Sequence, residues 1–295
     1  MEQSISIILP CLNEARGLDI ILPPLKAQYP DAQIIVVDDC SSDDSVQVAK
    51  KHKAQVVKQP YTQGNGSAIK AGARAATGDV LVFMDADGQH KPEDIQRLLF
   101  KYQEGYDMVV GARDGGSQAS KGRWLANGFY NKFSSWMVGQ KIQDLTSGFR
   151  VVSRDKFVGF LLLLPNGFSY PTTITMAFFR MGYAVGYLPI KAPKRIGKSH
   201  IKLLRDGIRF LLIIFKVGTL YSPLKLFFPL SFLFFFLGIE YYIYTYLTVE
   251  RFTNMSALLL TTSMLVFLIG LVSEQITQLT YLSVKLLHRD SNDDK

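Results

Sequence analysis

The sequence has 295 residues, enough for one large domain or two medium ones and for a sizeable core. Hydrophobic residues make up 48% and charged residues 20%, a composition typical of a globular chain with an added membrane segment. Cys11 and Cys40 are the only cysteines, which excludes a disulfide framework, and we expect both thiols to be reduced. The residues after Met1 lack the basic and apolar segments of a cleavable signal peptide, so none is predicted.

The net charge is +8, and its distribution favours a membrane partner. Lysine and arginine are concentrated between Lys191 and Lys225, where Asp206 is the only acidic residue. This basic stretch comes directly before a long hydrophobic segment, so lipid phosphate is a better candidate partner than nucleic acid. We therefore predict membrane binding and no nucleic-acid binding.

Short apolar runs alternate with amphipathic stretches from Ser4 to about Val110, which predicts an α/β fold with a mostly parallel, helix-covered sheet. Beyond it, a helix over Arg154–Leu164 and a last strand over Val185–Ile190 are expected. The predicted strands of the first part are Ile5–Leu9, Ile34–Val37, Gln55–Val57, Val80–Met84 and Met108–Val110. The predicted helices are Leu18–Gln28, Asp44–His52, Gly66–Ala75 and Pro92–Tyr102.

Residues 115–120 form a glycine and serine loop, which is either a mobile lid or an ordinary surface loop. A helical stretch that contains Arg123 follows.

The C-terminal third carries membrane signals. From Leu203 to Lys216 apolar residues recur at helical spacing with basic residues between them, which predicts an amphipathic helix in the membrane surface; a partner-binding helix is the alternative. Leu224–Val249 and Met255–Val272 are each near the roughly 20 residues that span a bilayer. Two transmembrane helices are therefore expected; the roles of Glu240 and Glu274 within them stay open.

Positive charge sits before and after this predicted hairpin rather than in its turn, so the positive-inside rule places both termini in the cytoplasm. We expect an integral protein of the cell (inner) membrane. Its predicted parts are a cytoplasmic α/β domain over 1–200, a juxtamembrane amphipathic helix over 201–222, a two-helix transmembrane hairpin over 223–285 and a polar tail over 286–295.

The chemistry is expected at Asp85-Ala86-Asp87-Gly88-Gln89, which follows the buried run Val80–Met84. The carboxyl end of a strand in an open parallel sheet is where ligands bind. Carboxylate and amide oxygens are ligands that Mg²⁺ or Mn²⁺ prefers, above all when diphosphate oxygens complete the coordination. The alternative is an Asx turn that only caps the strand.

Further polar residues follow the neighbouring strands. Pro10-Cys11-Leu12-Asn13-Glu14 ends the first strand, and Asp38-Asp39 ends the second. Such carboxylates can accept hydrogen bonds from a base and a ribose, which suits a nucleotide. Gly64-Asn65-Gly66 opens a helix that carries Lys70, so backbone N–H groups and a cation are available for phosphate. This glycine pattern is neither a Rossmann fingerprint nor a Walker loop.

Taken together, these motifs resemble the family-2 glycosyltransferases. The carrying segments are Pro10-x-x-Asn13-Glu14, Asp38-Asp39-x-Ser41-Ser42-Asp43, Gly64-x-Gly66-x-Ala68-x-Lys70-x-Gly72, Asp85-Ala86-Asp87-Gly88-Gln89-His90 and Ser147-Gly148-Phe149-Arg150. Arg195-Ile196-Gly197-Lys198-Ser199 narrows the resemblance to the polyprenyl-phosphate glycosyltransferases, the group of dolichol-phosphate mannose synthase and the GtrB-type enzymes. The resemblance runs from Ile5 to Leu203, and the hairpin after it is similar to GtrB-type members.

The resemblance implies a GT-A fold and inverting transfer of one hexose from UDP-glucose or GDP-mannose to undecaprenyl or dolichyl phosphate. It implies that Asp87 and Gln89 bind Mg²⁺ or Mn²⁺. The expected nucleotide-binding residues are Pro10, Asn13, Glu14, Asp38, Asp39, Lys70 and Asp85. The residues expected to line the donor diphosphate and the acceptor phosphate are Arg113, Arg123, Arg150, Arg195 and Lys198. His200 departs from the family, in which Lys is common at this position.

Two other functions remain as alternatives. A processive polysaccharide synthase would need Gln-x-x-Arg-Trp, but Ser120 precedes Arg123-Trp124 at the glutamine position. A catalytically silent sugar-nucleotide-binding scaffold would bind the donor without turnover. The sugar, the base, the polyprenol and the oligomeric state, a homo-oligomer included, stay open at this stage.

Overall fold

The structure is a computed structural model that describes residues 3–88, 90–113, 121–190, 215–216 and 218–293. The chain divides into two compact units, one of Met1–Leu203 with Leu287–Lys295 and one of Leu204–Leu286. Most of the predicted amphipathic helix over Leu203–Lys216, and the glycine and serine loop over 115–120, lie outside the described residues.

A seven-stranded sheet is the centre of the first unit. Its spatial order is β3-β2-β1-β4-β6-β5-β7, and only β6 runs antiparallel to its neighbours, because β4 and β5 both pair with it in that sense. The strands predicted from apolar runs are confirmed, and the mostly parallel sheet with them. The strands are β1 (Ile5–Cys11), β2 (Gln33–Asp38), β3 (Gln55–Lys58), β4 (Val80–Phe83), β5 (Met108–Arg113), β6 (Arg150–Ser153) and β7 (Val185–Ile190).

Helices connect these strands, and those predicted before Val110 are confirmed. The predicted helix over Arg154–Leu164 is too long: it ends at Val158, and Gly159 to Leu164 form turns with bonds such as Leu163 N to Phe160 O, 2.9 Å. Gly159, directly after the helix, keeps a right-handed helical φ of −57°, and the chain continues in i→i+3 turns instead of α-helix. The helices are α1 (Ala15–Gln28), α2 (Ser45–Lys51), α3 (Asn65–Ala75), α4 (Pro92–Gln103), α5 (Lys121–Val138), α6 (Arg154–Val158) and α7 (Tyr170–Arg180).

Helices cover both faces of the sheet, which is why its central strands are nearly continuous apolar runs. Ile7 and Leu9 of β1 belong to one buried cluster with Leu18 and Leu22 of α1. Ile8, between them, points to the opposite face and meets α3, where a Cβ at Gly72 would lie 2.4 Å from its Cγ2 atom. The core therefore lies on both sides of β1.

The second unit contains α8 (Pro223–Val249) and, as far as Leu286, α9 (Asn254–Asp293). Pro223–Val249 and Asn254–Leu282 are long and apolar enough to cross a membrane, as predicted, and only 11% and 17% of their most apolar windows are buried. The core helix of a soluble protein would be mostly buried. Ser231 and Ser263 each donate a hydrogen bond of 2.9 Å to the other's carbonyl oxygen, which joins the two helices.

The carboxylate of Glu274 in α9 lies at the start of α8. Its Oε2 atom accepts a hydrogen bond of 3.4 Å from the backbone N–H of Leu224, one of the helical amides with no partner within the helix. A negative charge at a helix N-terminus is also favoured by the helix dipole. Glu274 thus has a structural contact within the hairpin.

Candidate active site at the carboxyl edge of the sheet

The loops after β1 and β2 are tied together by hydrogen bonds. Asn13 has a left-handed φ of 58°, its Oδ1 atom accepts from Ser42 N at 2.8 Å, and its own N–H donates to Ser41 Oγ at 2.9 Å. The N–H of Glu14 donates to Ser45 Oγ at 3.0 Å. These bonds fix the two predicted nucleotide-binding loops in position relative to each other.

Asp38 and Asp39, at the end of β2, are both almost completely buried. The Asp38 carboxylate accepts from Ser41 N at 3.0 Å, and the two Asp39 oxygens accept from Gln63 N at 2.7 Å and Gly64 N at 2.9 Å. Both acids therefore shape the backbone around the site. Contact of either acid, or of Pro10 in β1, with a nucleoside stays a prediction.

A loop of the protein covers the N-terminus of α3. Ser67 N donates to Asn166 O at 3.0 Å, and a Cβ at Gly66 would lie 2.1 Å from Pro165 O, so only glycine permits this approach. The Lys70 ammonium donates to Leu164 O at 3.1 Å and also contacts Asn166. Lys70 and the glycine pattern are thus used to hold the loop, and phosphate binding by Lys70 stays a prediction.

The acidic loop after β4 packs closely against α1. A Cβ at Gly17 would lie 2.0 Å from Ala86 O and 3.2 Å from Asp87 Cα, so a glycine is required for the helix to reach this loop. Asp85 and Asp87 are both partly exposed. The structure therefore places the two carboxylates at the ligand-binding edge with access to solvent.

The His90 side chain contacts the carboxylate of Asp85. Its ring is buried and stacks on Phe149 with 4.6 Å between ring centroids, and its Nε2 atom is 3.4 Å from Asp85 Oδ2. Stacking and this contact orient the carboxylate.

The donor set at this loop fits a divalent cation that is completed by its substrate. The described residues contain no group of three or more His, Cys, Asp or Glu side chains that could hold a metal. Mg²⁺ is commonly held by one or two carboxylates together with substrate phosphates, which matches Asp85 and Asp87. Gln89, the other predicted ligand, lies outside the described residues.

Arg113, at the end of β5, is held by Asp144. Its Nε and Nη2 atoms donate to Asp144 Oδ2 and Oδ1 at 2.8 and 3.1 Å, and Nη2 also donates to Thr146 Oγ1 at 2.6 Å. Burial alone would lower the pKa of Arg113, but the bonds and charge of Asp144, with a smaller effect of Asp85, raise it. Arg113 is therefore a fixed cation within electrostatic range of the acidic loop.

Arg150, which the resemblance implies lines a phosphate, is enclosed by the protein in this structure, and its contact with a phosphate stays a prediction. Its side chain is fully buried, donates to the carbonyls of Ser147 and Pro171, and lies 5.7 Å from the Tyr170 ring centroid. Burial lowers its pKa. In this structure it anchors the turn before β6, where a Cβ at Gly148 would lie 3.4 Å from Asp85 Oδ1.

Three further predicted phosphate contacts cannot be located. Arg123 lies in α5, but its side chain is outside the described part, as are Arg195 and Lys198 entirely. Asp144 was missed at the sequence level. The signal was Asp-Leu-Thr-Ser-Gly over 144–148, a stretch rich in turn residues in which an Asp can form an Asx turn, and the Asp144 carboxylate does accept from Thr146 N and Ser147 N.

Comparison with known proteins identifies the family. A mostly parallel sheet with carboxylates at its carboxyl edge defines the class of α/β proteins that bind ligands there. The model of glycosyl transferase family 2 matches residues 6–159, and that of the GtrB C-terminal hairpin matches residues 222–279. The chain belongs to glycosyl transferase family 2.

Similar proteins include two curated relatives and a crystal structure. An uncharacterised glycosyltransferase of Mycobacterium tuberculosis is 40% identical over 37% of this chain, and the match spans only about half (49%) of that relative. An undecaprenyl-phosphate mannosyltransferase of Micrococcus luteus is 30% identical over 65% of this chain and 85% of its own. The M. tuberculosis glucosyl-3-phosphoglycerate synthase with Mn²⁺ and UDP-glucose has a TM-score of 0.60, 21% identity, and coverage of 74% and 79%; it supports the GT-A fold.

Proposed function

We propose that this protein transfers a single hexose from a nucleotide-diphosphate sugar, UDP-glucose or GDP-mannose, to a polyprenyl monophosphate such as undecaprenyl or dolichyl phosphate. The observation that carries the proposal is that the Asp85–Asp87 loop and the fixed Arg113 cation follow β4 and β5 of a family-2 sheet, with Asp85 within electrostatic range of Arg113. The GtrB hairpin match and the name of the Micrococcus luteus relative support a lipid acceptor.

In this proposal the donor is held by residues at the end of β2 and residues that follow β4. Asp38 and Asp39 keep the loops around the nucleoside in shape, since their carboxylates are bonded to backbone N–H groups. Asp85 and Asp87, with Gln89, hold the divalent cation, and when bound this cation neutralises charge on the diphosphate leaving group. The solved synthase, which was crystallised with Mn²⁺ and UDP-glucose, supports the same class of donor site.

The acceptor reaction needs little acid–base chemistry. A phosphate monoester has a second pKa of about 6, so a polyprenyl phosphate is already largely ionised at neutral pH. Its oxygen attacks the anomeric carbon, the bond from that carbon to the donor phosphate oxygen breaks, and the nucleoside diphosphate leaves with the electron pair. Attack opposite to the leaving group inverts the anomeric configuration. The protein has to align the two phosphates and stabilise their charge.

Cations from several elements serve this purpose. The charge of Asp85 in the acidic loop acts on Arg113. We propose that Arg113, Arg123, Arg195 and Lys198 line the phosphates. Arg150 contributes indirectly: it is buried and holds the turn that contains Gly148, which lies next to Asp85.

A lipid-product assay tests the proposal. The purified full chain is incubated with Mn²⁺ or Mg²⁺, undecaprenyl phosphate and either UDP-glucose or GDP-mannose, and the lipid extract is analysed by mass spectrometry. We expect addition of one hexose from one of the donors, none after chelation of the metal, and an anomeric configuration in the product opposite to that of the donor. A polymeric product would support a processive synthase, and donor binding without any glycolipid would support a scaffold; either result contradicts the proposal.

We also propose that the catalytic domain and both termini face the cytoplasm, since basic residues crowd the stretch before α8 while the hairpin turn has one basic and one acidic residue, Arg251 and Glu250. Cys40 is exposed, whereas Cys11 is buried and burial raises the pKa of its thiol. A membrane-impermeant maleimide should therefore label Cys40 in inverted vesicles and not in intact cells. In a Cys40→Ser background, Phe252→Cys in the turn should show the opposite pattern; labelling of Cys40 in intact cells would contradict this orientation.

A further inference from the structure

The guanidinium of Arg113 is fixed along one edge only. Nε and Nη2 are bonded to Asp144 and Thr146, so three of its five N–H groups are used. No described residue accepts a hydrogen bond from Nη1, and about a third (34%) of the side chain is exposed. The edge formed by Nη1 is thus available to a ligand.

We propose that Asp144 is a positioning residue that locks Arg113 so that its Nη1 edge binds a phosphate oxygen of a reactant. This inference rests on the proposed function, because it names the device that aims one of the cations. The ligand chemistry is a phosphate, either the donor diphosphate or the lipid monophosphate.

The physical reason is preorganisation. A free arginine side chain must lose rotamer freedom when it binds, and this loss weakens binding. The bidentate bond with a carboxylate that is itself buried removes this freedom before the ligand arrives. A donor already aimed at developing charge stabilises a transition state without reorganisation. Asp144 therefore acts through Arg113 and touches no reactant.

Asp144 has a second task that the experiment must separate from the first. Its Oδ1 atom accepts from Thr146 N and Ser147 N at 3.0 and 3.1 Å and so shapes the turn. In Asp144→Asn the amide oxygen can take the place of Oδ1 and keep the turn contacts and the bond from Arg113 Nη2. The amide NH₂ then replaces Oδ2, the acceptor for Arg113 N and Nε, and the negative charge is lost. This substitution therefore removes the bidentate ion pair and keeps the turn.

A double-mutant cycle tests the proposal on the full chain in detergent, with Arg113→Ala, Asp144→Asn and the double variant. Binding of UDP or GDP with Mn²⁺ and of farnesyl phosphate is measured by calorimetry, and kcat and KM are measured for both substrates. We expect Asp144→Asn to weaken binding of one phosphate ligand, or kcat/KM, at least tenfold in the wild-type background and less than twofold in the Arg113→Ala background. The ligand affected identifies which phosphate Arg113 binds.

The controls make each outcome decisive. Thr146→Val removes one bond to Nη2 and should lower binding or kcat/KM by a smaller factor, about twofold to fivefold. Thr146→Ser keeps the hydroxyl and should retain the wild-type value. Asp94→Asn breaks an ion pair with Arg97 within α4 and should leave ligand binding and turnover unchanged. Equal losses from Asp144→Asn in both backgrounds would show a merely structural role, and no loss in either would also overturn the inference.

The inference and the proposed function can fail separately. If the wild type binds a phosphate ligand without turnover, the proposed function fails while the binding cycle still decides this inference. If the wild type binds no phosphate ligand, the inference fails too.

Discussion

The carboxylates at the end of β2 are bonded to backbone N–H groups, whereas those beside the ends of β4 and β5 also contact ionisable side chains. Asp39 accepts from Gln63 N and Gly64 N. On the other side, Asp85 contacts His90 and Asp144 pairs with Arg113. The same residue type therefore has different work on the two halves of one edge.

The difference indicates how a fold separates shape from chemistry. A carboxylate bonded to two amides holds a loop, and its loss should appear mainly as lost stability. A partly exposed carboxylate beside a fixed cation stays available for a metal and a diphosphate, and its loss should appear mainly as lost turnover. We call these two groups the loop acids and the reaction acids. The loop acids are Asp38, Asp39 and Asp43, the last of which accepts from Ala15 N at 3.1 Å and Ser45 N at 3.0 Å. The reaction acids are Asp85 and Asp87.

The largest expected effect is on the reaction acids. Asp87→Asn should lower turnover about a thousandfold, equivalent to about 4 kcal/mol, because the neutral amide lacks the negative charge with which the carboxylate binds a divalent cation. The melting temperature should stay nearly unchanged, since Asp87 is partly exposed. Initial rates across a Mn²⁺ titration and a thermal melt in detergent measure both quantities. A large loss of stability, or near-normal rates at every Mn²⁺ concentration, would remove the distinction between the two groups.

The next effect is on the loop acids. Asp39→Asn should lower the free energy of unfolding by about 1–3 kcal/mol, because two backbone N–H groups lose a charged acceptor. The matched control is Asp44→Asn, since Asp44 is exposed and makes no side-chain bond to the start of α2. Melting temperatures should fall by several degrees for the first variant and by less than about one degree for the second. Equal melting temperatures would mean that the Asp39 bonds do not stabilise the loop.

The smallest effect is a pH dependence of stability. Burial would raise the pKa of Asp144, but its bonds with Arg113 outweigh burial and lower it. Because the pKa of Asp144 is lower in the folded state than its unfolded value of about 3.9, the ionised carboxylate stabilises the protein above that pH. This contribution to stability is lost as the pH falls through the folded pKa. Melting temperatures from pH 6 down to pH 3 should therefore fall more steeply in the wild type than in Asp144→Asn. Parallel curves would show that the pair adds no stability.

The sequence by itself determined six of the seven strands, most helices, the acids at the strand ends and the two apolar segments; β6 was not predicted. These follow from local patterns, since residue alternation, helix starts and turn residues act within a few positions. The resemblance in the motifs from Pro10 to Arg150 also indicated the family correctly.

Only the tertiary structure decided how the charged residues are used. Arg113 and Asp144 are 31 residues apart in sequence and meet because β6 inserts antiparallel between β4 and β5. The same insertion buries Arg150, which a motif alone had placed at the phosphates. Local patterns carry no information on such long-range pairing, so which cation faces a ligand and which is enclosed depends on the packed fold.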